Sequence, residues 1–153
     1  LLFAADPVRE VKNYPLALEA FNLFQTTNSQ LSTANCQLLT LGNVPHSDIP
    51  KYLNACDALL LTSKWEGSPN IVKEAMACSM PVVATQVGDV KWLFGDVEGY
   101  FLTQHEPNDV AEKIKAVLDF SGKTKGRERL IELGLDSESV AKRIVEVYNS
   151  VGS

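Results

Sequence analysis

Glu66 and Glu74 stand eight positions apart in the stretch EGSPNIVKE. Between them Gly67, Ser68, Pro69 and Asn70 give way to an apolar-periodic run. Ser is a favoured N-cap and Pro suits the first helical position, so the spacing predicts a helix capped by Ser68 and opened by Pro69. The amides of Asn70, Ile71 and Val72 would lack intrahelical acceptors, and with the helix dipole they would form an anion site. Gly67 has no Cβ, which lets a ligand approach the backbone. On a wheel of about 100° per residue, Ile71, Val72, Ala75, Met76, Ala77 and Cys78 fill most of the circumference. Glu74 falls in the remaining polar window, where a carboxylate can accept two hydrogen bonds from a vicinal diol such as a ribose 2′,3′ pair. Glu66 lies within reach of another hydroxyl-bearing group. A phosphate at a helix start with a polyol on each side has the shape of a nucleotide-sugar. The same spacing also fits a solvated Glu66 and a surface Glu74, with Lys73 simply solvated.

The elements that must position these residues alternate along the chain. Residues 1–5, 37–41, 58–62, 81–85 and 100–103 read as strands, and ALLLT and PVVAT are apolar throughout, as a covered parallel sheet requires. A helix from about Pro15 carries Leu16, Ala17, Ala20, Phe21 and Phe24 on one side. A short one follows Ser47 with Pro50 in its first turn. Another opens at Pro107 with Val110, Ile114, Val117 and Leu118. The last follows Ser137 with Val140, Ile144, Val145 and Tyr148. This alternation predicts an α/β fold: a Rossmann-like doubly wound parallel sheet with helices on both faces. In such sheets ligands sit beyond the carboxyl ends of the strands, so the loops at residues 6–13, 42–46, 63–68 and 86–89 are the ones that matter.

Composition narrows the function classes. The 153 residues suit one domain, and the absence of an initiator Met reads as a piece of a longer protein. A net charge of −5 and a pI near 5.0 argue against a nucleic-acid binder. Cys36, Cys56 and Cys78 show neither zinc spacing nor an even disulfide count, so they read as buried thiols of a reducing cytosol. No apolar run is long enough to span a membrane. Gly122-Lys123-Thr124 resembles the end of a P-loop, but the earlier glycine would fall at Val117, and no G-x-G-x-x-G occurs.

The segment EGSPNIVKEAMACSMPVVATQVGD resembles the E-x7-E signature of family 4 glycosyltransferases of the GT-B fold. Ala75-Met76-Ala77, the run from Pro81 to Thr85, and Gly88 fall in register with it. A weaker likeness runs through GNVPHSDIPKYLNACDALLLTS and back to FAADPVREVKNYPLALEAF. The resemblance implies that residues 1–153 are one half of a GT-B enzyme, its C-terminal nucleotide-sugar-binding domain, with the N-terminal acceptor domain absent. It implies that Glu74 binds ribose hydroxyls and Glu66 the sugar of the donor. The backbone from Gly67 through Ser68, Pro69, Asn70 and Ile71 to Val72 would line the sugar and diphosphate. Lys12, with Arg9 as a less regular stand-in, would hold the diphosphate, and the backbone near Val44 would face the base. Gly88 reads as a turn glycine first and a ligand contact second. Cys78-Ser79, Asp89 and Trp92 depart from the pattern.

The resemblance implies retaining glycosyl transfer from a UDP-, GDP- or similar nucleotide-sugar; no metal or other cofactor is expected, and the lack of an Asp-x-Asp agrees with a metal-free route. The expected acceptor is a glycan or a lipid-linked molecule, reached through the missing half, in polysaccharide biosynthesis. The expected place is the cytoplasm, extending to peripheral association with the inner membrane face. The isolated fragment is expected to be inactive. A non-catalytic scaffold domain and a nucleotide-sugar epimerase are the alternatives. His46 and His105 read as a helix-flanking and a loop histidine, and Trp65 and Trp92 as packing residues.

Overall fold

In a parallel sheet covered on both sides, successive strand residues must each find apolar neighbours. The computed structural model, which describes residues 1–28 and 36–151, has this arrangement. Among the described residues, β1 (Leu2–Phe3), β2 (Leu39–Thr40), β3 (Leu59–Leu61), β4 (Val82–Thr85) and β5 (Tyr100–Thr103) form one parallel sheet in the order β2-β1-β3-β4-β5. Leu2 pairs with Leu39 and with Leu59, Leu60 with Val83, and Val83 with Phe101.

Leu2, Leu59, Leu61, Val82 and Ala84 point to one face. There α2 (Ile49–Ala55), α3 (Asn70–Ala77), α4 (Val90–Phe94) and α6 (Gly126–Glu132) supply Leu53, Val72, Ala75, Met76, Leu93 and Leu130. Phe3, Leu60 and Val83 point to the other face, against Leu16, Phe21, Phe24, Val110 and Ile114 of α1 (Tyr14–Thr27) and α5 (Pro107–Asp119). The chain is therefore the doubly wound α/β sheet that the alternation predicts. The apolar stripes expected on the first long helix and on the Pro107 helix are buried as read, except that Leu118 is only partly covered.

Several local readings change. α4 was not foreseen, because its five residues are too few to show a period. The last helix, α7 (Ser137–Val151), is capped by Asp136 rather than Ser137: the Asp136 carboxylate accepts the Ser139 amide at 2.9 Å. Its apolar residues do not pack inward, and Ile144 and Tyr148 are exposed. Trp65 and Trp92 are exposed too, so neither is a core packing residue. The three cysteines are free and only partly buried. Burial pushes the Cys36 and Cys56 thiols above their ordinary range. No helix among the described residues is long and apolar enough to cross a membrane.

The strand order positions the site. The chain steps from β1 to β2 in one direction, then crosses back and builds β3, β4 and β5 in the other. The crevice between the carboxyl ends of β1 and β3 is the switch point, where open α/β sheets bind ligands.

Candidate functional site

Buried hydroxyls join the loops that leave the carboxyl ends of the strands. The Thr62 hydroxyl donates to the carbonyls of Lys12 and Asn13, each at 3.1 Å, and the Lys64 amide donates to the Val11 carbonyl at 2.9 Å. The Ser63 carbonyl accepts from the Thr85 hydroxyl at 2.8 Å and from His105 Nε2 at 2.9 Å. These bonds tie the loops after β1, β3, β4 and β5 into one rim.

Within that rim Lys12 and Glu66 meet, although 54 residues separate them. Lys12 ends a 3-10 turn (Glu10–Lys12), and Asn13 follows in the left-handed region at φ 54°, which asparagine tolerates better than most residues. Lys12 Nζ lies 2.5 Å from Glu66 Oε1, and the Ser63 hydroxyl donates to the same oxygen at 2.8 Å. Both side chains are largely buried, at 14% and 18% exposure, so each neutralises a charge that water hydrates poorly. Arg9 stands exposed at the start of the turn, and its side chain has no polar partner among the described residues. Lys64 pairs with Glu10 at 2.8 Å on the outer rim, and that bond holds the Glu10 carboxyl below its usual range.

The tip of α3 differs in detail from the sequence reading. The helix starts at Asn70, with Pro69 in the cap position and no side-chain cap. Ser68 cannot cap, because its hydroxyl proton goes to Asp89 Oδ2 at 2.6 Å while its oxygen accepts Lys73 Nζ at 3.0 Å. Lys73 is therefore engaged rather than free in solvent. The Val72 amide bonds the Pro69 carbonyl at 3.1 Å. Pro69 and Val72 are buried, Ile71 partly, and Asn70 is exposed. The first turn thus keeps amides without side-chain partners among the described residues, at the carboxyl edge of the sheet.

Two glycines divide their work. A Cβ on Gly67 would meet nothing within 4 Å, so open space lies above this backbone. Gly88 has φ +52°, and a Cβ there would come 2.0 Å from the Gly67 carbonyl oxygen and 2.7 Å from that of Glu66. The Asp89 amide donates to the same Gly67 carbonyl at 3.2 Å. Gly88 is thus a turn glycine that presses the loop after β4 against the Glu66–Gly67 backbone. Asp89 Oδ1 is buried and has no partner among the described residues.

Glu74 lies about one turn inside α3, and its side chain is 27% exposed. The open side of the helix is wider than the wheel suggests, since Ala77 is exposed as well. His46 Nε2 donates to Glu74 Oε1 at 3.0 Å, which brings the 42–46 loop to α3. On that loop the Val44 amide bonds the Gly42 carbonyl at 2.9 Å, and its side chain packs on the core. Glu74 also lines a cleft of about 510 Å³, together with Lys73, Ala77, Arg127 and Ile131. Lys12, Glu66, Gly67, Ser68 and Gly88 therefore share one neighbourhood, and Glu74 and Val44 belong to an adjoining one. Sequence reasoning passed over Ser63, His46 and His105 as partners. Each lies on a loop that leaves a strand's carboxyl end, the one signal that could have raised it.

The family model for Glycosyl transferases group 1 matches residues 30–135. A Campylobacter jejuni N,N′-diacetylbacillosaminyl-diphospho-undecaprenol α-1,3-N-acetylgalactosaminyltransferase is 30% identical over 131 residues, 78% of this chain and 34% of its own length. Among solved structures, Staphylococcus aureus TarM, a mutant crystallised with fondaparinux, α-GlcNAc-glycerol and UDP, superposes with a TM-score of 0.73 at 19% identity, covering 97% of this chain and 35% of that one. Anabaena HepE, solved with UDP and glucose, gives 0.72 at 21% identity, covering 97% and 48%. The chain spans only 18% to 34% of the length of the curated relatives it matches.

Proposed function

The chain belongs to the glycosyl transferases group 1 family, and we propose that it is the donor-binding half of a longer enzyme. In this reading residues 1–153 form one domain that holds a nucleoside-diphospho-sugar for transfer to a glycan or lipid-linked acceptor. The acceptor would be held by an N-terminal domain outside this sequence. The observation that carries the proposal is the meeting of Lys12 and Glu66 across the β1/β3 switch point, beside the start of α3.

The chemistry follows from where charge develops. When the sugar leaves, negative charge builds on the nucleoside diphosphate. Preorganised positive groups aimed at that charge lower the barrier. Lys12, Arg9 and the first amides of α3 supply them, and the helix end adds its dipole. An arriving diphosphate draws the Lys12 ammonium toward itself, and the Glu66 carboxylate then turns to the hydroxyls of the sugar. Glu74 grips the ribose diol, with the Val44 loop beside the base. The lack of Asp-x-Asp in the sequence supports a route without metal, and the E-x7-E resemblance supports retention at the anomeric carbon. The UDP in the TarM and HepE structures makes UDP the first nucleotide to test. A cytoplasmic place, reaching to the inner membrane face for a lipid-linked acceptor, fits this role.

The test is calorimetry on the folded chain with UDP and UDP-glucose, extended to GDP and ADP by thermal shift. UDP is expected to bind, and Glu74→Ala to weaken it by about tenfold to a hundredfold, the loss of hydrogen bonds to a charged group. No sugar transfer is expected from the isolated chain. A folded chain that binds no nucleoside diphosphate would point to a scaffold and end the proposal.

A further inference from the structure

Glu74 is held by a residue that the sequence reading dismissed. We infer that His46 is a positioning residue for Glu74, fixing the carboxylate that takes the ribose. The inference rests on the ribose role proposed for Glu74.

A glutamate on a helix has three side-chain torsions, and an exposed one samples several rotamers. Here His46 Nε2 lies 3.0 Å from Glu74 Oε1. A carboxylate oxygen can only accept, so Nε2 carries the proton and donates. Oε1 keeps a second lone pair and Oε2 keeps both. The carboxylate therefore remains able to accept two hydroxyl protons while one oxygen is anchored. No other hydrogen bond or ion pair to the Glu74 side chain occurs among the described residues. Its orientation thus depends on one imidazole.

The imidazole is itself placed by the fold. His46 opens the 3-10 turn (His46–Asp48) that leads into α2, next to Pro45. The same loop carries Val44, packed on the core. The His46–Glu74 bond therefore couples the loop proposed to face the base with the helix proposed to hold the ribose. A hydrogen bond across that gap sets the distance between two parts of one nucleoside. At 86% exposure the His46 side chain adds little packing, so its removal should leave the fold intact.

The experiment compares UDP with 2′,3′-dideoxy-UDP by calorimetry on wild type, His46→Ala, His46→Gln and Glu74→Gln. His46→Ala should bind UDP about fivefold to tenfold more weakly, the range of one charge-assisted hydrogen bond partly made up by water, with 2′,3′-dideoxy-UDP affinity unchanged. His46→Gln, whose amide can donate from nearly the same position, should stay close to wild type. Melting temperatures should match throughout. Equal weakening of both nucleotides by His46→Ala, or no weakening of either, overturns the inference. Glu74→Gln separates the two levels. If it abolishes the preference for UDP while His46→Ala does not, only the His46 role falls. If it too leaves the preference intact, the ribose role of Glu74 falls with it.

Discussion

Replacing Gly88 by Ala tests whether the loop after β4 holds Glu66 in place. The new Cβ would sit 2.0 Å from the Gly67 carbonyl oxygen, where an ordinary C···O contact is about 3.3 Å. The Glu66–Gly67 backbone would have to retreat by roughly 1.3 Å, the difference between those two distances. That retreat breaks the bond from the Asp89 amide to the Gly67 carbonyl, already 3.2 Å long. Ala at φ +52° adds about 1–2 kcal/mol of left-handed strain. The lost hydrogen bond adds about 1 kcal/mol, and the stiffer unfolded chain offsets about 0.4–1 kcal/mol. The net is a destabilisation of about 2 kcal/mol, or roughly 4–8 °C in Tm for a domain of this size.

Gly67→Ala is the matched control, because its Cβ would enter open space. It should melt within about 1 °C of wild type, as surface changes do. Yet if a diphospho-sugar lies over that backbone, the added methyl should weaken UDP-glucose binding by about tenfold, the effect of about 1.4 kcal/mol of displaced contact. Gly88→Ala should lose both stability and affinity. Thermal unfolding and calorimetry on the two variants read these outcomes directly. A Gly88→Ala protein that melts and binds like wild type would refute the close-contact argument. Unchanged affinity in Gly67→Ala would remove the ligand from that backbone.

Ser79 has φ 54°, so Ser79→Gly should relieve about 1–2 kcal/mol of strain against about 0.4–1 kcal/mol of added unfolded-state freedom. A net rise of about 1–3 °C in Tm is expected, and a fall would show the strain to be absent. The Tyr100 phenol has its pKa pushed up to about 12 by burial, against the opposing effect of its hydrogen bond with Thr124. A raised pKa means that the neutral form is favoured in the fold. The resulting stability is complete below the unfolded value near 10 and disappears as pH rises toward 12. Denaturation curves from pH 9 to 12 should therefore fall more steeply for wild type than for Tyr100→Phe, and parallel curves would contradict the burial argument.

What could be read from the chain depended on whether the cause was local. ALLLT and PVVAT read as buried strands because both neighbours of each residue had to be apolar, and β3 and β4 lie inside those runs. Phe21 and Phe24 of α1, and Ile114 of α5, followed a helical period that the core enforces. The tip of α3 was less legible, because Ser68 looks like a cap in sequence. Its proton instead goes to Asp89, 21 residues on, and only the close approach of Gly88 to Gly67 brings that acceptor near. The α7 stripe shows the reverse failure. Its period is helical, but a period states which residues share a face and not what covers that face, and Ile144 and Tyr148 are exposed.

Lys12 and Glu66 make the strongest case for reading sites through topology. Nothing in a spacing of 54 residues says that an ammonium and a carboxylate touch at 2.5 Å. The strand order says it: β1 and β3 are neighbours only because β2 was laid on the far side of β1. Any chain with that order brings the loop after its first strand against the loop after its third. The charge types in those loops then decide whether the crevice can hold a ligand. Here Lys64 pairs with Glu10 on the outer rim, and Lys12 and Glu66 satisfy each other within it. In the proposed function a diphosphate and a sugar hydroxyl would compete for Lys12 and Glu66 as a pair, which would couple the arrival of phosphate charge to the release of the Glu66 carboxylate.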